Sequence, residues 1–153
     1  LLNKFFIFLV SISFLFFLLN FFSLTPYHYV YLNKFYGDFS EASKKFENDY
    51  WGTSIKELVN KMKINIDFEA DKNYKIAFCG INHDIAIHYL KKINNFSFTE
   101  IPSKKDYDYI IMTNRINGQI EDEITDVKSC FDLYKGKDIL SVKRNGLILS
   151  TVR

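Results

Sequence analysis

Polar positions are almost absent from the first stretch of the chain, a pattern that does not recur later. Residues 5–24, FFIFLVSISFLFFLLNFFSL, carry no charge, and Ser11, Ser13, Asn20 and Ser23 are the only polar members. About 20 apolar residues rising 1.5 Å each span a hydrocarbon core about 30 Å thick, so this run predicts a transmembrane helix. A core helix of a small soluble domain would be shorter and polar on one face. A secretory signal is the competing reading, but its apolar stretch runs about 7–15 residues and ends at a small-x-small cleavage site. Phe21-Phe22-Ser23-Leu24-Thr25-Pro26 offers no such site, so the helix is expected to stay on the chain.

After Pro26 the period changes. Tyr27, Tyr29 and Tyr31 alternate with His28, Val30 and Leu32, a period of two that predicts an extended segment. Tyrosine favours the membrane–water boundary, which makes 25–37 an aromatic anchor, with a ligand-facing surface as the alternative. Over 39–50 the spacing turns helical: Phe39, Ala42, Phe46 and Tyr50 form one stripe, and Glu41/Lys45 and Lys45/Asp49 are i,i+4 pairs. Gly52 can end that helix with a positive φ. Ser54-Ile55-Lys56-Glu57 then reads as a capping box opening a second helix through about Met62, with Ile55, Leu58, Val59 and Met62 on its buried face.

Further on, YKIAFC (74–79) predicts a strand closed by Gly80. Residues 84–93 predict a helix with Ile85, Tyr89 and Ile93 on one side, and YDYIIMT (107–113) a second strand. Strand, helix and strand make a right-handed parallel βαβ unit. GQIEDEITD (118–126) reads as an acidic surface loop leading to a short helix near Val127–Cys130. Asn145-Gly146 between two apolar runs predicts a C-terminal hairpin. The fold class is therefore α/β: a transmembrane helix (1–24), the aromatic juxtamembrane segment (25–37), and a small soluble domain (38–153) with a mixed sheet.

Charge narrows the partners. The net charge is +2, and with Lys4 the one charge in the first 24 residues, the remainder carries +1. That is no electrostatic footprint for nucleic acid, and the lipid bilayer is the partner the chain itself implies. Charge does not orient the helix, because a following domain can be translocated regardless of its lysines. Cys79 and Cys130 could pair if the domain is extracytoplasmic, but the apolar setting of Cys79 favours a buried free thiol.

Candidate chemistry is thin. Cys79, His83 and His88 invite a metal reading, but histidines five apart on a helix point about 140° from each other, so no metal site is expected. Gly80 lies between strand and helix, yet CGINHD lacks the glycines needed to wrap a pyrophosphate, leaving an ordinary turn with Asn82 or His83 near the cap. Glu47 and Asp49 are two apart and do not converge as paired carboxylates must; one of them can cap the next segment instead. No catalytic residue and no cofactor are expected. FENDYWGTS (46–54) then reads as a structural corner. If Trp51 is buried there, its replacement by alanine would cost about 3–5 kcal/mol.

Two stretches together carry a resemblance. TPYHYVYLNKFYG (25–37), directly after an apolar helix, and FENDYWGTSIKEL (46–58) resemble the end of bacterial multi-spanning glycosyltransferases of the GT-C class, the family 39-like or dolichyl-phosphate-mannose–protein mannosyltransferase-like enzymes. The family pattern H-P-Y-Q-Y-V-Y-F-N is matched at Pro26, Tyr27, Tyr29, Val30, Tyr31 and Asn33. The aromatic-acidic pattern around D-Y-W-G is matched at Phe46, Glu47, Asp49, Tyr50, Trp51, Gly52, Ser54, Glu57 and Leu58. Thr25, His28 and Leu32 depart from it. The many membrane helices and acidic external loop with which such enzymes handle a polyprenyl-phosphate sugar are not in this chain. The resemblance implies a non-catalytic C-terminal domain at a bacterial inner membrane, facing the periplasm, with the missing membrane helices and a polyprenyl-phosphate sugar as implied partners. It implies that residues 1–153 alone are inactive. Leu1 in place of methionine fits a fragment; a non-standard start codon or a trimmed chain is the plainer alternative. A single-pass, membrane-anchored binding or assembly module is the competing function.

Overall fold

The computed structural model describes residues 2–28, 49, 51–94, 96–115 and 129–153. The expected helix at 39–50 and the acidic loop at 118–126 lie outside these residues apart from Asp49, as do Tyr29, Tyr31, Asn33, Glu47 and Tyr50 of the resembling motifs.

Helix α1 runs Leu2–Leu24. It is the one helix among the described residues long and apolar enough to cross a membrane. At 1.5 Å per residue it is about 34 Å long. After it come α2 (Ile55–Asn65), β1 (Asn73–Cys79), α3 (His83–Leu90), β2 (Ser97–Glu100), β3 (Tyr109–Thr113), α4 (Cys130–Leu133), β4 (Leu140–Arg144) and β5 (Leu147–Val152). The five strands form one mixed sheet in the order β2-β1-β3-β5-β4. β1 is parallel to both β2 and β3, while β5 is antiparallel to β3 and β4.

The expected α/β class with a mixed sheet is therefore what the chain forms, with one strand more than the pattern predicted. β2 flanks β1 on the far side from β3, so the first crossover runs β1–α3–β2 and the chain then passes back to β3. Its sequence does alternate, with Phe96 and Phe98 separated by Ser97. The strand is short and mostly exposed at the sheet edge, where little burial marks it.

Alternation divides the sheet's two faces. Tyr74, Ile76 and Phe78 of β1 enter the larger core with Ile111, Val142, Leu147, Leu149 and Val152, under α2 and α3. Ala77 and Cys79 turn the other way, with Ile110, Met112 and Cys130. The predicted face of α2 is buried in full: Ile55, Leu58, Val59 and Met62. Helix α3 is rotated from expectation. Its buried residues are Ala86 and Leu90, with Ile85 and Tyr89 only half-buried, while Ile93 of the expected face is buried just beyond the helix end.

The Asn145-Gly146 hairpin forms as predicted, with φ of +47° and +80° at its two central residues, the mirror-image turn that matches strand twist. One irregularity matters for the packing. Val142 pairs with Ser150 and Lys143 with Ile148, so Leu149 is an extra residue in β5. The bulge turns Leu149 into the core while Ser150 also faces α2.

Candidate functional site

The polar groups of the domain converge where it meets the end of α1. Leu24 and Tyr27 are both buried and belong to the main core, with Tyr27 only 5 % exposed. Tyr27 is thus not a ring resting at a lipid boundary, as the interfacial preference of tyrosine suggested; it is part of the domain. Its hydroxyl donates to Glu57 Oε2 at 2.9 Å. Arg144, at the end of β4, donates from Nη2 to the same oxygen at 2.7 Å and holds its guanidinium carbon 4.8 Å over the Tyr27 ring. Lys61 Nζ lies 3.3 Å from Glu57 Oε1, one turn along α2, and also donates to the Ser141 carbonyl. Arg144 Nε donates to the Thr25 carbonyl at 3.1 Å, and Asn145 Nδ2 to Ser23 Oγ at 3.2 Å.

Charge is balanced by these contacts. Burial raises the Glu57 carboxyl, but hydrogen bonds from Arg144, Tyr27 and Lys61 outweigh it and hold the group below the ordinary carboxylate range. Tyr27 shifts upward, first through burial and then because its proton is bonded to a carboxylate. The arrangement is a satisfied joint: a neutral phenol, an ionised carboxylate and two cations. It offers cohesion rather than a group poised to give or take a proton near neutral pH.

Glu57 serves this joint instead of the capping box. Ser54 has helical torsions (φ −72°, ψ −13°) and its side chain caps nothing in α2. The organiser is Asp49, 2 % exposed, whose Oδ1 accepts from the Thr53 N–H at 2.9 Å and whose Oδ2 accepts from the Ser54 N–H at 3.0 Å and from the Ser54 hydroxyl. Ser54 Oγ also bonds Ser150 Oγ at 2.7 Å, joining this corner to β5. Gly52, at φ +63°, completes the turn. Asp49 thus ties the turn that leads into α2, bonding the N–H groups of Thr53 and Ser54 just before the helix and placing a carboxylate near its positive end.

Trp51 contradicts the burial that a packed corner required: it is 71 % exposed. Pro26, also of the motif, is exposed just after α1. The motif residues thus separate, with Tyr27, Asp49 and Gly52 built into the core and Trp51 presented outward.

The carboxyl ends of the parallel strands, where open α/β sheets often hold ligands, are filled by the chain. Cys79 and Cys130 form a disulfide with Cα atoms 5.8 Å apart, which overturns the expected buried free thiol. The apolar run around Cys79 disclosed burial correctly, but only the fold brings α4 to the end of β1. Gly80 follows with φ +71°, and a Cβ there would meet Arg115 Cβ at 2.7 Å and Cys130 Sγ at 2.9 Å. Thr113 Oγ1 donates to the Gly80 carbonyl at 2.6 Å. Asn82 Oδ1 accepts from the Asp84 N–H and caps α3, as an ordinary turn would. Cys79, His83 and His88 do not converge. The first is spent on sulfur, His83 Nδ1 meets Glu100 Oε1, and His88 lies edge-on to Tyr89. Among the described residues no three His, Cys, Asp or Glu side chains gather as a metal site.

Compared with known proteins, the chain matches no family model, no curated protein and no solved structure.

Proposed function

We propose that the chain is the membrane-proximal, non-catalytic domain of a polyprenyl-phosphate-sugar-dependent glycosyltransferase of the GT-C type, held at a bacterial inner membrane on the periplasmic side. One observation carries this reading: the two stretches that resemble the family are bonded to each other in space, Tyr27 of the first donating to Glu57 of the second, 30 residues on, at 2.9 Å. Motifs that meet in one joint act as one unit, and a domain locked to its membrane helix suits a role in shaping the acceptor side of an enzyme. The disulfide supports the periplasmic side, because such bonds persist in oxidising compartments. The test is twofold. Membranes carrying residues 1–153 alone should transfer no sugar from a polyprenyl-phosphate donor, and the reading frame before the Leu1 codon should encode further apolar helices with acidic external residues. Transfer by 1–153, or a stop codon with a ribosome-binding site just upstream, defeats the proposal. The exposure of Trp51 favours the second reading, a single-pass anchored binding module, which that stop codon would support.

A further inference from the structure

We propose that the tip of the β4–β5 hairpin rests on the phosphate layer of the bilayer, with Lys143 facing lipid phosphates. The inference rests on α1 spanning the membrane and not on the glycosyltransferase reading.

The hairpin is an arm. Of β5 only Ser150–Val152 pair with β3, so Leu147–Leu149 and the β4 residues opposite them run on past that ladder for about 10 Å. This projecting end is what reaches the helix: Asn145 Nδ2 bonds Ser23 Oγ and Arg144 Nε bonds the Thr25 carbonyl. Both acceptors belong to the last turn of α1 or the residue after it. A helix of about 34 Å slightly exceeds a hydrocarbon core of about 30 Å, so the end of α1 reaches the boundary with the headgroups. The hairpin tip bonded to it shares that level.

The tip's composition fits that depth. Lys143, Arg144, Asn145 and Gly146 include no apolar side chain, so the tip has nothing to insert into hydrocarbon. Arg144 is committed to Glu57. Lys143 is exposed and has no ion pair among the described residues. A free ammonium at an anionic lipid surface is attracted within a Debye length, and phospholipid phosphates are the anions present at that depth.

The test uses the full chain in vesicles of phosphatidylcholine and phosphatidylglycerol. Nitroxides are placed by Lys143→Cys or by Asp71→Cys, and a nickel chelate is tethered to the headgroups. Asp71 precedes β1, which runs opposite to β5 across β3, so it lies at the other end of the sheet. Relaxation by the headgroup nickel should be several-fold stronger at position 143 than at 71. Equal relaxation at the two sites overturns the placement, as does release of the chain by carbonate washing. A second arm tests the charge. Thermal unfolding of the wild type should rise more than that of Lys143→Gln when phosphatidylglycerol is added to phosphatidylcholine vesicles. An equal rise in both overturns the phosphate contact. Neither arm depends on sugar transfer, so failure here and failure of the glycosyltransferase reading are separate results.

Discussion

On one face of the sheet, α2, α3 and the end of α1 cover a broad apolar layer that includes Leu24, Leu58, Met62, Ile76 and Leu149. On the other, Ala77, Cys79, Ile110, Met112 and Cys130 form a small cluster, with Ile101, Tyr107, Phe131 and Tyr134 around it. The first face closes by burying carbon. The second has only the four-residue helix α4 among the described residues and is fastened by the Cys79–Cys130 bond, which joins positions 51 apart. Arg153 adds a polar clasp, donating from Nε to Asp138 at 2.7 Å and from Nη1 to the Phe131 and Tyr134 carbonyls. A layer too thin to pay for its own ordering needs a constraint on the unfolded chain instead, which is what a cross-link provides.

The thin face is weakened most by removing the sulfur bond. Replacing Cys79 and Cys130 together by alanine should lower stability by about 4 kcal/mol, the loop-entropy value for a closure of this length. Chemical denaturation in detergent measures it, and a loss under about 1 kcal/mol would mean that the thin face holds by packing alone. Next is Leu58→Ala on the broad face, where a fully buried leucine is lost, at about 3 kcal/mol. Its effect should survive reduction of the disulfide, whereas the cysteine variants should be indifferent to reductant.

Glu57→Gln acts at the joint between the broad face and α1. It leaves Arg144 and Tyr27 without their shared carboxylate and should cost about 2 kcal/mol. The pH dependence carries the sign. The native Glu57 value is depressed, so its contribution is whole above the ordinary carboxyl value of about 4.3 and fades as pH falls through the lower native one. Tyr27 is raised, so its contribution is whole below about pH 10 and is lost as pH climbs through its native value. The wild type should therefore lose more stability on acidification than Glu57→Gln does, a difference absent if the carboxylate is not held by the joint. Smallest of all is Trp51→Ala: an exposed ring should change stability by less than about 0.5 kcal/mol, and a loss of several times that would return Trp51 to the core.

What could be read in advance follows from how local each signal is. The apolar run of α1, the stripe Ile55-Leu58-Val59-Met62 and the Asn145-Gly146 turn depend on neighbours within a few residues, and all three appear. β2 depends on an edge position that leaves its side chains half in water, so its weak alternation was outweighed. The capping box failed for another reason. Ser54 and Glu57 have the right spacing, but each finds a stronger partner outside the helix: Ser54 the buried Asp49 five residues before it and Ser150 far along the chain, Glu57 the guanidinium of Arg144. The sequence leaves the burial of Trp51 conditional on how the corner packs, and the ring is exposed where the chain turns at Gly52.

The apolar helix, the buried stripe of α2, the strands β1 and β3 and the Asn145-Gly146 hairpin were legible in the sequence, because periodicity and turn chemistry act over a few residues; the edge strand β2 and the buried face of α3 were not. The tertiary structure alone decided the pairing of Cys79 with Cys130, the meeting of Tyr27, Glu57 and Arg144, and the docking of the hairpin on α1. Each of these joins residues tens of positions apart, and closing such loops is worthwhile only once the whole core forms behind them.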